Sequence, residues 1–290
     1  MTTITINTHR FSIPASWDDM TLAQLVGVVN LSEMKLDMLT FKLKMLLLMT
    51  GWVLLPSDTR GVYVFALKWN KTVRLEEYQI NEIMQHLDFL IKQTDTREGT
   101  IYTIYSQLTA QKIRMFRIRG RRFYGPKDKL FNLRFAEYLS ADNYFNRYFE
   151  THNEHFLNML IATLYRPRKQ GLKTWSPAFD GDFRVKYNSH LTETYAARVS
   201  KLDKFSKTVI LLYYQGCKNH LINQFPQVFQ QGGGSRSRYG ALGLVDALTN
   251  GDVTKTESIR SQYLYDVFVH LNELVSKNEE IKSKMKRGKL

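Results

Sequence analysis

An α+β fold in which helices predominate is what this sequence predicts, with small antiparallel strand elements in the N-terminal part and a helical C-terminal part. Three observations lead there. Short alternating stretches rich in β-branched and aromatic residues all lie before about residue 125. Beyond that point, long runs with apolar residues at helical spacing fill most of the chain, and Gly, Pro and polar turn residues punctuate the elements. With 290 residues, 43% hydrophobic and 13% aromatic, the chain can build one large domain or two ordinary ones and is too rich in core-forming residues to be disordered.

Ile4 and Ile6 alternate with Thr3, Thr5 and Asn7, and Arg10–Ile13 repeats the alternation, so residues 3–13 read as a hairpin ended by Pro14. Thr21 and Gln24 have capping-box spacing ahead of a helix with Leu22, Leu25, Val26 and Val29 on one face. A second helix, about Lys35 to Thr50, is apolar on most faces, is expected in the core, and stops at Gly51. Residues 61–75 turn β-like, with Asn70-Lys71 as a turn, and Glu76 to Lys92 then reads as an amphipathic helix. Ile101–Leu108 and Lys112–Ile118 are strand-like.

After Gly125-Pro126 the expected helices are Leu133–Phe149, Glu154–Leu164 (closed by Arg166-Pro167), Leu191–Ala197 and Lys204–Gln224, with Pro226 behind the last. Between Arg166 and Leu191 lies a loop with Gly171, Trp175, Pro177 and Gly181. Residues 232–239 form a Gly/Ser linker. A short helix Ala241–Leu248, a turn Asn250-Gly251-Asp252 and a terminal helix from about Ser261 to Lys284 come next, ending in a basic tail. The division expected is therefore 1–125 (α+β), 126–231 (helical), the 232–239 linker, and 240–290 (C-terminal helices).

No apolar run approaches the roughly 20 residues that span a bilayer, and the N-terminal residues lack the basic and apolar regions of a signal peptide. A lone cysteine, Cys217, excludes an intrachain disulfide framework and suits a reducing compartment. A cytoplasmic protein, or one packed into a particle assembled there, is expected. No cofactor is expected. His152 and His155 flank Glu154 at a helix start without a third ligand at useful spacing, so they read as exposed residues. Gly232–Gly234 lacks the Lys-Ser/Thr of a phosphate loop, no Ser sits in a nucleophile elbow, and Asp18-Asp19 and Glu76-Glu77 suit helix starts. A non-enzymatic protein is the expectation.

The formal charge of +14 favours a polyanion or an acidic protein as partner. It is concentrated in Lys112, Arg114, Arg117, Arg119, Arg121, Arg122, Lys127, Lys129 and Arg134, opposed only by Asp128, with Phe116, Phe123 and Tyr124 interleaved. Arg117 and Arg119 are expected to face away from Phe116 and Ile118 on a strand with one wet face. Basic residues among aromatics suit phosphate contact with base stacking. A solvated strand and a docking surface for an acidic partner are equally compatible. Arg166, Arg168, Lys169 and Lys173 form a second cluster able to extend the patch.

Four segments carry a resemblance: Phe11-Ser12-Ile13-Pro14-Ala15-Ser16-Trp17-Asp18-Asp19-Met20-Thr21-Leu22; Phe123-Tyr124-Gly125-Pro126 with Leu130–Phe135; Leu164-Tyr165-Arg166-Pro167; and Asn250-Gly251-Asp252-Val253-Thr254. Together they resemble proteins from the structural and tail-assembly gene region of tailed bacteriophages and prophages. The GD turn before an amphipathic helix is similar to some tail assembly chaperones. The resemblance implies a virion-assembly role through contacts with a phage tail or virion component, in the host cytoplasm or within the virion, and carries over no functional residues. Nucleic-acid binding through 112–134 is the alternative.

Overall fold

The computed structural model describes the chain apart from Asn7, Thr8, Lys35, residues 68–70, Arg97, Glu98, Thr174, Ala178, and residues 231–247, 249–251 and 288–290. With 56% helix against 17% strand, and the small antiparallel sheets mostly N-terminal, the fold is α+β with helices predominating. It divides into two units, Met1–Leu108 and Thr109–Leu290.

The first unit opens on an antiparallel hairpin of β1 (Thr2–Ile6) and β2 (His9–Ile13), with Thr2 opposite Ile13. Its turn lies outside the described residues. Helix α1 (Leu22–Glu33) starts at the expected box: the Gln24 N–H donates to Thr21 Oγ1 at 3.3 Å and the Thr21 N–H to Gln24 Oε1 at 2.8 Å. Helix α2 (Met38–Thr50) ends at Gly51, whose φ of 70° is left-handed. It is only partly a core helix, since Met45, Leu46 and Met49 are buried while Leu39 is exposed.

A meander comes next: β3 (Val53–Leu55), β4 (Val62–Ala66) and β5 (Thr72–Glu76), all antiparallel. The first of these was not expected, being only three residues long. Helix α3 (Glu77–Gln85) is shorter than its apolar pattern suggested, because Ile91 and Lys92 belong to a strand. That strand, β6 (Ile91–Thr96), pairs with β7 (Gly99–Ile104), Ile91 facing Ile104. Periodicity alone does not separate a helix's last turn from a short apolar strand. Trp17 anchors this core, its indole N–H donating to the Phe89 carbonyl at 3.2 Å. A recess of about 530 Å³ is lined by Met34, Leu36, Met38, Phe41, Ile91 and Ile104 among others.

The second unit begins with the hairpin β8 (Met115–Ile118) and β9 (Arg121–Tyr124), then α4 (Phe135–Thr151), α5 (Glu154–Leu164) and the two-residue strand β10 (Arg166–Pro167). Helices α6 (Ser189–Val199), α7 (Lys204–Gln224), α8 (Pro226–Gln230), α9 (Thr256–Ser261) and α10 (Leu264–Arg287) complete it among the described residues. Every residue of α5 from Leu157 to Leu164 is buried, packed by α4, α6 and α7. Pro226 starts a helix, the position where its missing N–H costs nothing.

Two expected boundaries move. The division falls after Leu108 rather than near 125, because β9 hydrogen-bonds to β10 far downstream, tying the basic hairpin to the helices. The terminal helix is not a separate part either. Phe268 lies among Phe135, Tyr138, Phe225 and Phe229, with centroids 5.4 to 6.3 Å away. The Leu264 N–H donates to Leu133 O, and the Phe135 N–H to Gln262 O, each at 2.9 Å. The 232–239 linker, the Ala241–Leu248 helix (Leu248 apart) and Asn250-Gly251 lie outside the described residues.

Candidate nucleic-acid interface

The β8–β9 hairpin turns on two residues, Arg119 and Gly120, with φ of 46° and 77°. Two successive positive φ values between paired strands are the mark of a type I′ turn, which matches the twist of the flanking strands and favours Asn-Gly. Gly120 suits its place. Arg119 does not, since a Cβ-bearing residue in the left-handed region costs about 1–2 kcal/mol.

The pleat then sorts the side chains. Phe116 sits opposite Phe123, both buried, and Ile118 is buried beside them. On the other face Arg117 sits opposite Arg122, both exposed. Cβ atoms of directly opposed residues lie roughly 4.5–5.5 Å apart, so two like-charged side chains spring from neighbouring points, an unfavourable pairing. Arg114 and Arg119 are exposed at the strand's two ends, and Arg121, though opposite the buried Ile118, is exposed as well. No ion pair or side-chain hydrogen bond to another described residue engages any of these five arginines.

The hairpin is fixed from beneath. Phe116 stacks on Phe123 at 5.6 Å and on Tyr165 at 5.0 Å, and Tyr195 meets Phe123 edge-on at 5.9 Å. Tyr165 donates its hydroxyl to Ile113 O at 2.6 Å, and burial pushes the phenol's pKa up. Gly125 closes the strand where no larger residue fits: a Cβ there would stand 2.0 Å from Gln111 Nε2 and 2.6 Å from the Tyr165 ring. Lys127 is exposed, and the next turn holds Lys129 and Leu130 in the left-handed region. Its backbone is pinned by Lys129 N–H to Thr109 O at 2.9 Å, Tyr213 hydroxyl to Lys127 O at 2.7 Å and Tyr265 hydroxyl to Lys129 O at 2.8 Å.

Several expected site residues have other duties. Arg166 is only 2% exposed and belongs to no surface patch. Its guanidinium reaches Glu137 Oε1 at 2.8 Å, Thr163 O at 2.6 Å and Val185 O at 2.9 Å. Beside it the buried Arg184 donates to Leu164 O at 2.7 Å and Asn132 O at 3.2 Å, and pairs with Asp182 at 2.7 Å and Glu137 Oε2 at 3.3 Å. Two arginines thus satisfy carbonyls left open at the end of α5, and two carboxylates balance them. Burial pushes the Arg166 pKa down, opposed by Glu137. At Arg184 burial also works against the charge, but Glu137 and Asp182 outweigh it and its pKa is raised.

Arg134 bonds Ser261 O at 3.2 Å, pairs with Asp180 at 3.4 Å and lies 3.7 Å from the Tyr263 ring centroid, so it fastens the C-terminal segment. Lys169 pairs with the same Asp180 at 3.0 Å. Lys112 is half-buried and partnered, and Lys129 is half-buried in its turn. Arg168 remains exposed, packed over Phe183 at 4.7 Å. Of the expected positions, the hairpin arginines with Lys127, Arg168 and Lys173 are therefore the exposed set.

Elsewhere Cys217 is buried, His152 ends α4 and His155 stands in the first turn of α5. Among the described residues no cluster of His, Cys, Asp or Glu could hold a metal ion, and no helix is long and apolar enough to cross a membrane. Compared with protein-family models, curated proteins and solved structures, the chain matches none. Sequence reasoning missed the Glu137–Arg166–Arg184–Asp182 network. Its members are scattered from α4 to the far side of loop 170–182, and an Arg before a Pro at a helix end was the one local hint.

Proposed function

We propose that this protein is a non-enzymatic nucleic-acid-binding protein that takes phosphates on the β8–β9 hairpin. The observation that carries the reading is the Arg117–Arg122 pair: two arginines directly opposite each other on paired strands, exposed and without an acidic partner among the described residues. A fold tolerates such repulsion more readily when a polyanion relieves it, and phosphate contact releases counterions from the strand. Binding should weaken steeply with salt. Replacing Arg117, Arg119, Arg121 and Arg122 by Gln should lower affinity and flatten the salt slope by roughly 0.7–0.9 for each phosphate no longer neutralised. Undiminished affinity in the quadruple variant, with the fold intact by circular dichroism, would refute the proposal.

A second reading, virion assembly in a phage tail module, draws on the four resembling segments and on the recess beside α1 and α2, where Met34, Leu36, Met38, Phe41, Ile91 and Ile104 stand with Ser32 and Thr103. Such a recess suits an apolar side chain of a tail or virion component. The two readings are separable: particles purified from an infected host would contain the protein, or their tails would fail to form without it.

A further inference from the structure

A basic surface that holds single-stranded nucleic acid pairs phosphate contacts with an aromatic ring open to a base. The hairpin's own phenylalanines do not provide one, because Phe116 and Phe123 are buried beneath the arginines. The ring is on a different loop. Strand β10 runs antiparallel to β9, with Arg166 opposite Tyr124 and Pro167 opposite Phe123. The chain leaving β10 therefore heads for the end of the sheet where the Arg119-Gly120 turn stands. Arg168, exposed, comes directly after the last residue paired with β9, on the way toward that end, where Arg117 and Arg122 face each other.

Arg168 bridges to Arg184, and the Lys169 N–H donates to Phe183 O at 2.8 Å, which closes the neck of loop 170–182. The described residues of the loop are tied to their surroundings. Phe179 packs on Phe183 at 4.7 Å, Arg168 donates to Leu172 O at 3.2 Å, and Tyr263 donates its hydroxyl to Asp180 O at 2.5 Å. A turn closed by the Ser176 N–H donating to Lys173 O at 3.0 Å carries Trp175. This indole is 76% exposed, more than any other large apolar side chain among the described residues. The Lys173 ammonium sits 5.2 Å from its centroid, adding a cation beside the ring.

We infer that Trp175 stacks on an unpaired base of a single-stranded nucleic acid whose phosphates lie on the exposed Arg117, Arg122 and Arg168. This rests on the nucleic-acid reading above. A duplex keeps its bases stacked on one another, so an outward indole finds a base face only where a strand is unpaired. An acidic peptide would satisfy the arginines but offers the indole no comparable partner.

The test uses the full chain and four probes of matched length, about 12 nucleotides or residues: oligothymidylate, an abasic deoxyribose-phosphate strand, a duplex, and polyglutamate. Oligothymidylate should bind roughly 5- to 100-fold tighter than the abasic strand and should quench indole fluorescence. W175A should lower oligothymidylate affinity to the abasic level and leave abasic affinity and salt slope unchanged, while W175F should retain most of the difference. The inference is overturned if the wild type binds both strands equally, if W175A leaves oligothymidylate affinity unchanged, or if W175A weakens both strands alike. It is also overturned if the duplex or polyglutamate binds as tightly as oligothymidylate. Equal, salt-sensitive binding to both strands would leave the phosphate-binding proposal standing; failure to bind any nucleic-acid probe would remove that proposal and this inference together.

Discussion

At the scale of single residues, charge has two opposite uses in this protein. Glu137, Arg166, Asp182 and Arg184 are buried and mutually neutralised, whereas the hairpin arginines are exposed and uncompensated. Removing one partner from a buried set leaves a charge with neither water nor counterion, which costs about 3–5 kcal/mol. Glu137→Gln should therefore lower unfolding free energy by about that amount in urea denaturation. A loss below about 1 kcal/mol would mean that backbone carbonyls alone suffice for both guanidinium groups. Apart from its place before Pro167 at a helix end, nothing near Arg166 in sequence distinguishes it from Arg168, and alternation along a strand gives residues two apart the same side. Cover separates them: Arg166 lies under Val185 and Glu137 at the end of α5, while Arg168 stands beyond that cover, in solvent.

At the scale of elements, the hairpin is the piece where local preference and final structure disagree. Lys112–Ile118 alternates as a strand should, and the inward Phe116 and Ile118 with outward Arg117 match the expected pattern. Arg119 does not face outward from a strand as expected. It occupies the first central position of the turn, at a φ that Asn or Gly would adopt more readily. Arg119→Asn should raise thermal stability by up to about 1 kcal/mol, and the same variant should bind nucleic acid more weakly. Opposite movements of stability and affinity are what a residue kept for binding produces; a variant weaker in both would mean that Arg119 serves the fold. Helix starts were more legible. Thr21-x-x-Gln24 and Asp203 with the Ser206 N–H at 2.8 Å use only neighbouring residues, and such caps can be read directly from the chain.

At the scale of the whole molecule, several carboxylates are held below their ordinary pKa. At Asp37 the cause is hydrogen bonding from Thr40. At Asp203 and Asp180 burial works the other way but is outweighed, by Ser206 in one case and by Lys169, the Asp182 N–H and Arg134 in the other. A depressed folded-state pKa contributes stability that is complete above the unfolded value, near 4, and is lost as pH falls through it toward the folded value. Urea midpoints should accordingly hold from neutral pH to about 5 and decline below about 4. A midpoint that rises on acidification would contradict this, since it would require these carboxyls to be better satisfied when protonated.

The fold class, most of the helices, the two N-terminal hairpin motifs and the basic character of residues 112–134 are determined by the sequence itself, because each depends on periodicity, caps and composition within about twenty neighbouring residues. Tertiary structure alone decided which of the expected cations reach solvent. Arg166 went inward to the end of α5, Arg134 and Lys169 went to Asp180, and Phe116 and Phe123 of the basic segment went beneath the sheet. It also decided that Trp175, remote from the hairpin in sequence, sits on the loop that leaves the same end of the same sheet, through the register of a strand only two residues long. Pairing partners for buried charge and strand register are set by contacts between distant segments, and those contacts leave no local trace in the chain.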